Sequence, residues 1–90
     1  MDKMRPNVNM NGTSRESLVD QRRDVMRALL RAQEALKHMA PHGRDYQGVP
    51  LPDIRFEADR KVWQARMKLL VDLYDVTYEE ALELFGGDDA

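Results

Sequence analysis

Asn11-Gly12-Thr13-Ser14-Arg15-Glu16-Ser17-Leu18-Val19-Asp20 opens a stretch that runs on to Leu36-Lys37-His38-Met39. It closes with Ala40-Pro41-His42-Gly43-Arg44-Asp45-Tyr46. Asn11-Gly12 is a turn dipeptide, because glycine takes positive φ without steric cost. Thr13 and Glu16 stand at the T-x-x-E spacing of a capping box, in which the hydroxyl and the carboxylate satisfy the first free N–H groups of a helix. From Leu18 the apolar residues Val25, Leu29, Ala32, Leu36 and Met39 recur at steps of three and four, with Arg22 in the missing place. Val19, Met26 and Leu30 widen the stripe. Ala40-Pro41 cannot continue a helix, and Gly43 suits a left-handed cap. The first helix is therefore expected over residues 14–39. At ~1.5 Å per residue it is ~39 Å long, so the rest of the chain must fold back along it.

Working outward, residues 1–12 read as an irregular arm. Pro6, Asn7 and Asn9 disfavour helix, so the arm reads as a frayed tail, the alternative being that Val8 and Met10 pack on a partner subunit. Residues 40–53 form a loop, long for a helix–helix connection, where ~2–8 residues are usual. Asp53 suits an N-cap, and Phe56, Trp63, Met67, Leu70 and Tyr74 then place a second helix over 54–74. Val62, Leu69, Leu73 and Val76 make an adjoining stripe. Thr77-Tyr78-Glu79-Glu80 repeats the capping-box pattern, with Val76 and Ala81 spaced as a hydrophobic staple. It predicts a short third helix over 78–85. Gly86-Gly87 stops it, and residues 86–90 form an acidic tail.

The expected fold is thus all-α: an antiparallel hairpin of two long helices plus a short C-terminal helix, in one domain of 90 residues. Both long helices are apolar on more than one side. A chain this small, with no cysteine to cross-link it, needs outside help to bury that surface, so a homodimer or larger homo-oligomer is expected.

Composition narrows the function. Lys and Arg number 14 against 16 Asp and Glu, which argues against nucleic acid as a partner. Arg23, Arg27 and Arg31 are interleaved with Asp20, Asp24 and Glu34, so a DNA-binding face on the first helix is a weaker alternative. No apolar run is long enough for a membrane span, and residues 1–10 lack the apolar core of a secretory signal. Absence of cysteine fits a reducing cytoplasm and removes thiol catalysis and thiolate zinc sites. His38 and His42 are separated by Pro41, which spoils a helical metal pair, and no other cofactor site is expected. With no nucleophile–base arrangement and no phosphate-cradling glycine loop, the chain reads as a non-enzyme.

The residues suited to binding gather at the two ends of the first helix. Thr13, Ser14 and Arg15 flank a helix N-terminus, where free N–H groups favour an anion. His42, Arg44, Asp45 and Tyr46 share the loop. The arginine offers a planar fork for phosphate or carboxylate, the tyrosine a stacking face and a hydroxyl. Arg22, a charge inside an apolar register, must snorkel, pair with a carboxylate or meet a ligand. The two end groups cannot touch within one hairpin. Across a subunit boundary in an antiparallel oligomer they could form a composite pocket.

The opening N-G-T-S, the long helix and the closing R-D-Y resemble a group of small tailed-phage proteins. The resemblance covers roughly the first half of the chain and implies no catalytic residue. It implies phage-type roles: counter-defence, inhibition of a host protein, or assembly. Together with the binding residues, it leads to the expectation of a protein that sequesters a small anionic, nucleotide-like ligand. The alternative is a helical module that captures a host or virion protein.

Overall fold

Ser14 stands at the start of the first helix. In the computed structural model, which describes residues 1–8 and 14–86, its side chain accepts the Ser17 amide at 3.1 Å and caps α1, Arg15–Lys37. The Thr13 half of the expected capping box, the Asn11-Gly12 turn, Met10 and the acidic residues 87–90 lie outside the described residues. The helix stops at Lys37 rather than Met39. His38 closes it, and the His38, Met39 and Ala40 amides bond back to Ala35, Leu36 and Lys37 carbonyls in a tightened last turn ahead of Pro41. A short 3-10 helix, Gly43–Tyr46, lies within the loop.

The second element corrects the expected division. A single helix, α2, runs over Pro52–Gly86 without a break, so residues 78–85 are its last turns and not a third helix. Pro52 takes the first helical position, where its missing N–H costs nothing, and Asp53 sits in the first turn rather than capping it. The Thr77-x-x-Glu80 pattern is used differently from a cap. The Thr77 hydroxyl donates to the Leu73 carbonyl at 2.7 Å, a bond of the helix interior, and Glu80 turns inward to Arg22. Neither glycine nor proline interrupts α2 between Asp53 and Phe85.

Arg22 meets Glu80 and Leu36 meets Trp63, so α1 and α2 lie side by side and run in opposite directions. Among the described residues all regular structure is helical. The result is a rod of 63 × 20 × 18 Å. The well-buried part is short: Leu18, Val19 and Leu29 of α1 against Val76 and Ala81 of α2, with Arg22, Thr77 and Glu80 buried among them. Toward the loop the contact is looser, and Leu36, Phe56, Trp63, Met67, Leu70 and Tyr74 are half-buried. Val25 and Met39, expected in the first-helix stripe, lie open, as do Val62, Leu69 and Leu73.

The arm is not a loose tail over residues 1–8. Lys3 bonds Glu83 at 2.8 Å and Glu79 at 3.3 Å, and the Met4 amide donates to Glu80 at 2.6 Å. The arm thus lies against the last turns of its own α2, and Val8 remains exposed. No helix among the described residues is long and apolar enough to cross a membrane.

Candidate functional site

The loop end carries the cleft richest in recognition chemistry. The Trp63 indole N–H donates to the Leu36 carbonyl at 2.8 Å, which ties α2 to the last turn of α1 and fixes the ring. Tyr46, at the end of the 3-10 helix, donates its hydroxyl to Asp59 at 2.5 Å and meets Phe56 edge-on, ring centres 5.6 Å apart. Between these two anchored aromatics opens a cleft of about 460 Å³, bordered by His38, Met39, Asp45, Asp59, Val62 and Arg66. The hydrogen bond to Asp59, with the partial burial of the ring, raises the Tyr46 hydroxyl above its ordinary pKa of 10.0. It therefore stays protonated and donating at neutral pH.

Of the loop residues expected to bind, Asp45 and Tyr46 border this cleft. His42 and Arg44 do not. His42 Nδ1 accepts the Arg44 amide at 3.3 Å and caps the 3-10 helix, which leaves the Arg44 side chain exposed away from it. The cation at the cleft is Arg66, an exposed residue of α2. The sequence reading gives no role to Asp59 and Arg66 and counts Trp63 only in the apolar stripe of the second helix, although steps of four and three put the three on one side of a helix. Their meaning depends on the loop folding over that side.

The arm end holds the other expected residues. Ser14 is engaged in capping α1. Arg15 borders a cleft of about 340 Å³ between the arm and α2, whose other charged neighbours include Arg5, Glu80 and Glu83. Arg22 borders neither cleft. It is 7% exposed, with Nε donating to Glu80 Oε1 at 3.1 Å and Nη1 donating to the Leu18 carbonyl at 3.1 Å. Its place in the apolar stripe is explained by this pairing, and it is a clamp between helices rather than a ligand contact. The two ends stand about 34 Å apart along α1, so one chain does not join them.

Chemically, the loop-end cleft offers aromatic edges and faces, one guanidinium, and two carboxylates. Arg66 suits a phosphate. Asp45 and Asp59 suit N–H donors such as exocyclic amino groups, and Trp63 with Tyr46 suits a planar ring. Comparison with protein-family models, with curated proteins and with solved structures found no match.

Proposed function

We propose that this chain is a non-enzymatic binding protein: an antiparallel helical hairpin, assembled as a homo-oligomer, that holds a small anionic nucleotide-like ligand and withholds it from a receptor. The observation that carries the reading is the loop-end cleft, where a ring-stacking surface, an arginine and amino-accepting carboxylates face one space of about 460 Å³. A nucleotide presents those three complements together: a planar base, a phosphate and ring-bound amino groups. The resemblance to small tailed-phage proteins makes counter-defence in the host cytoplasm the corresponding biological role, with the ligand a host signal. In an oligomer, Ser14 and Arg15 of a neighbouring copy supply the anion-binding end that one chain keeps away from its own loop.

Trp63 is the single tryptophan, so its fluorescence reports on the cleft directly. Titration with mono-, di- and cyclic nucleotides is expected to perturb Trp63 emission and raise the melting temperature. Binding at 100 times the dissociation constant adds ~2.7 kcal/mol. Arg66→Ala is expected to abolish both responses with the helical content unchanged. Silence toward the whole panel would end this reading.

The second reading is a module that binds a host or virion protein. Tyr78, Leu82 and Phe85, exposed near the end of α2, favour it. Recovery of one specific host protein, lost on Leu82→Glu, would support it.

A further inference from the structure

Many of the apolar residues left at the surface line up on one side of the rod, apart from Leu30, Val71 and the group near the end of α2. Val25, Ala28, Ala32 and Ala35 on α1, and Met39 just past its end, follow one another at alternating steps of three and four. Ala58, Val62, Ala65, Leu69 and Leu73 do nearly the same on α2. This spacing keeps successive side chains on one seam of a helix. The seams share a face: Met39 and Val62 border the same cleft, and the opposed directions of the helices carry the pairing on through Ala32 with Leu69 to Val25 with Leu73. All ten positions are uncharged, and nine are exposed, with Leu69 at 64%.

The amount of surface indicates the occupant. The chain exposes 6986 Å², whereas a compact monomer of 10.5 kDa exposes roughly 5,400 Å². The excess, on the order of 1,500 Å², comes with the elongated 63 × 20 × 18 Å shape, and it leaves ample room for the ~800 Å² each partner gives to a stable interface. A face built on regular apolar seams, with both signs of charge at its loop end in Asp59 and Arg66, can be complementary to itself, as a two-fold contact requires.

We propose that a second copy of the chain docks on the Val25–Met39 and Val62–Leu73 face, so that two helix pairs close into a four-helix bundle. Small side chains at Ala28, Ala32 and Ala35 let the neighbouring backbone come close. Met39 and Val62 belong both to this face and to the loop-end cleft, so the docked copy also walls the cleft's open side. That last consequence rests on the ligand-binding reading; the docking itself does not.

Sedimentation equilibrium of the full chain without nucleotide tests the docking. The expected result is a mass of two copies or a multiple, reduced to one by Leu69→Glu and unchanged by Leu82→Glu. A chain that sediments as one copy overturns the proposal, and so does a mass that falls with Leu82→Glu but not with Leu69→Glu. A foreign protein covering this face on a one-copy chain overturns it equally. Should Leu69→Glu fail to fold, a spin label on Ala28→Cys in the otherwise cysteine-free chain takes its place. Dipolar coupling between copies is expected, and its absence refutes the contact. The ligand step is read separately. A Leu69→Glu monomer that keeps the full Trp63 response refutes the walling of the cleft, whereas a wild-type chain with no response refutes the ligand and leaves the docking intact.

Discussion

Arg22 of α1 and Glu80 of α2 form an ion pair at 3.1 Å with side chains only 9% and 4% exposed, and the second oxygen of Glu80 accepts the Met4 amide. One carboxylate thus joins three separate segments: the arm, the first helix and the end of the second. Each partner is satisfied, since the remaining Arg22 contact goes to the Leu18 carbonyl and no buried side-chain N or O among the described residues lacks a partner. A buried pair of this kind orders the packing more than it stabilises it, because desolvation offsets much of the attraction.

Breaking the pair is expected to be costly. Arg22→Ala leaves Glu80 buried without its cation, which destabilises by roughly 3–5 kcal/mol. Replacing both, Arg22→Met with Glu80→Leu, is expected to recover most of that loss while freeing the arm. Urea denaturation measures the first effect, and the NMR signal of the Met4 amide the second. A single Arg22→Ala variant as stable as wild type would show that the pair is immaterial.

The continuity of α2 through Val76–Tyr78 can be tested with proline. At the first position of a new helix, proline is tolerated. Inside a helix it removes one hydrogen bond and clashes with the preceding turn, at a cost of ~3 kcal/mol or more. Tyr78→Pro is therefore expected to lower stability by about that amount. A neutral result would restore a helix boundary at Thr77.

Arm docking is expected to depend on pH at both extremes. The Lys3 ammonium, bonded first to Glu83 and then to Glu79, is held above its ordinary 10.5, and Glu83 below its ordinary 4.5. A depressed carboxyl contributes above its unfolded value and loses that contribution as pH falls through the folded one. A raised ammonium contributes below its unfolded value and loses it as pH rises through the folded one. The arm should thus be held best between about pH 5 and about pH 10. Following the Met4 amide from neutral to acid pH tests the lower limit, and high salt should weaken the same signal because these groups are exposed.

The loop end has its own alkaline limit. The Tyr46 hydroxyl is raised above 10.0 chiefly by its bond to Asp59, so its contribution is complete below that value and vanishes as pH rises through the raised one. Tyrosinate absorbance should show a late phase above the ordinary tyrosine value, and Tyr46→Phe should remove that phase. An unchanged titration in the variant would place the late tyrosine elsewhere.

The long amphipathic stripe of α1 was legible because Leu18, Leu29 and Leu36 repeat with a helical period over many turns. Arg22 announced itself as a charge in the wrong place, and pairing with another helix was one of the readings open to it. Its partner was hidden by an ambiguity of local code: Thr77-x-x-Glu80 has the spacing of a cap, yet the same residues can bond within a helix and across to a neighbour. Which use prevails depends on Arg22, fifty-eight residues away. The loop-end cleft was half legible. Asp45 and Tyr46 came from loop composition, whereas Asp59, Trp63 and Arg66 acquire a role only once the chain has turned back, which no local pattern records.

Unequal helix lengths explain where binding space arises at all. The second helix has 35 residues against 23 in the first, so it overhangs its neighbour by roughly 18 Å in total. Two rods of matched length would end flush. The pairing of Arg22 with Glu80 and of Leu36 with Trp63 sets the start of α1 beside the end of α2, so the overhang lies at the loop end, where the 3-10 turn roofs the step it leaves. Lengthening α1 past Lys37 would fill this step with backbone, so the loop-end cleft owes its space to the mismatch.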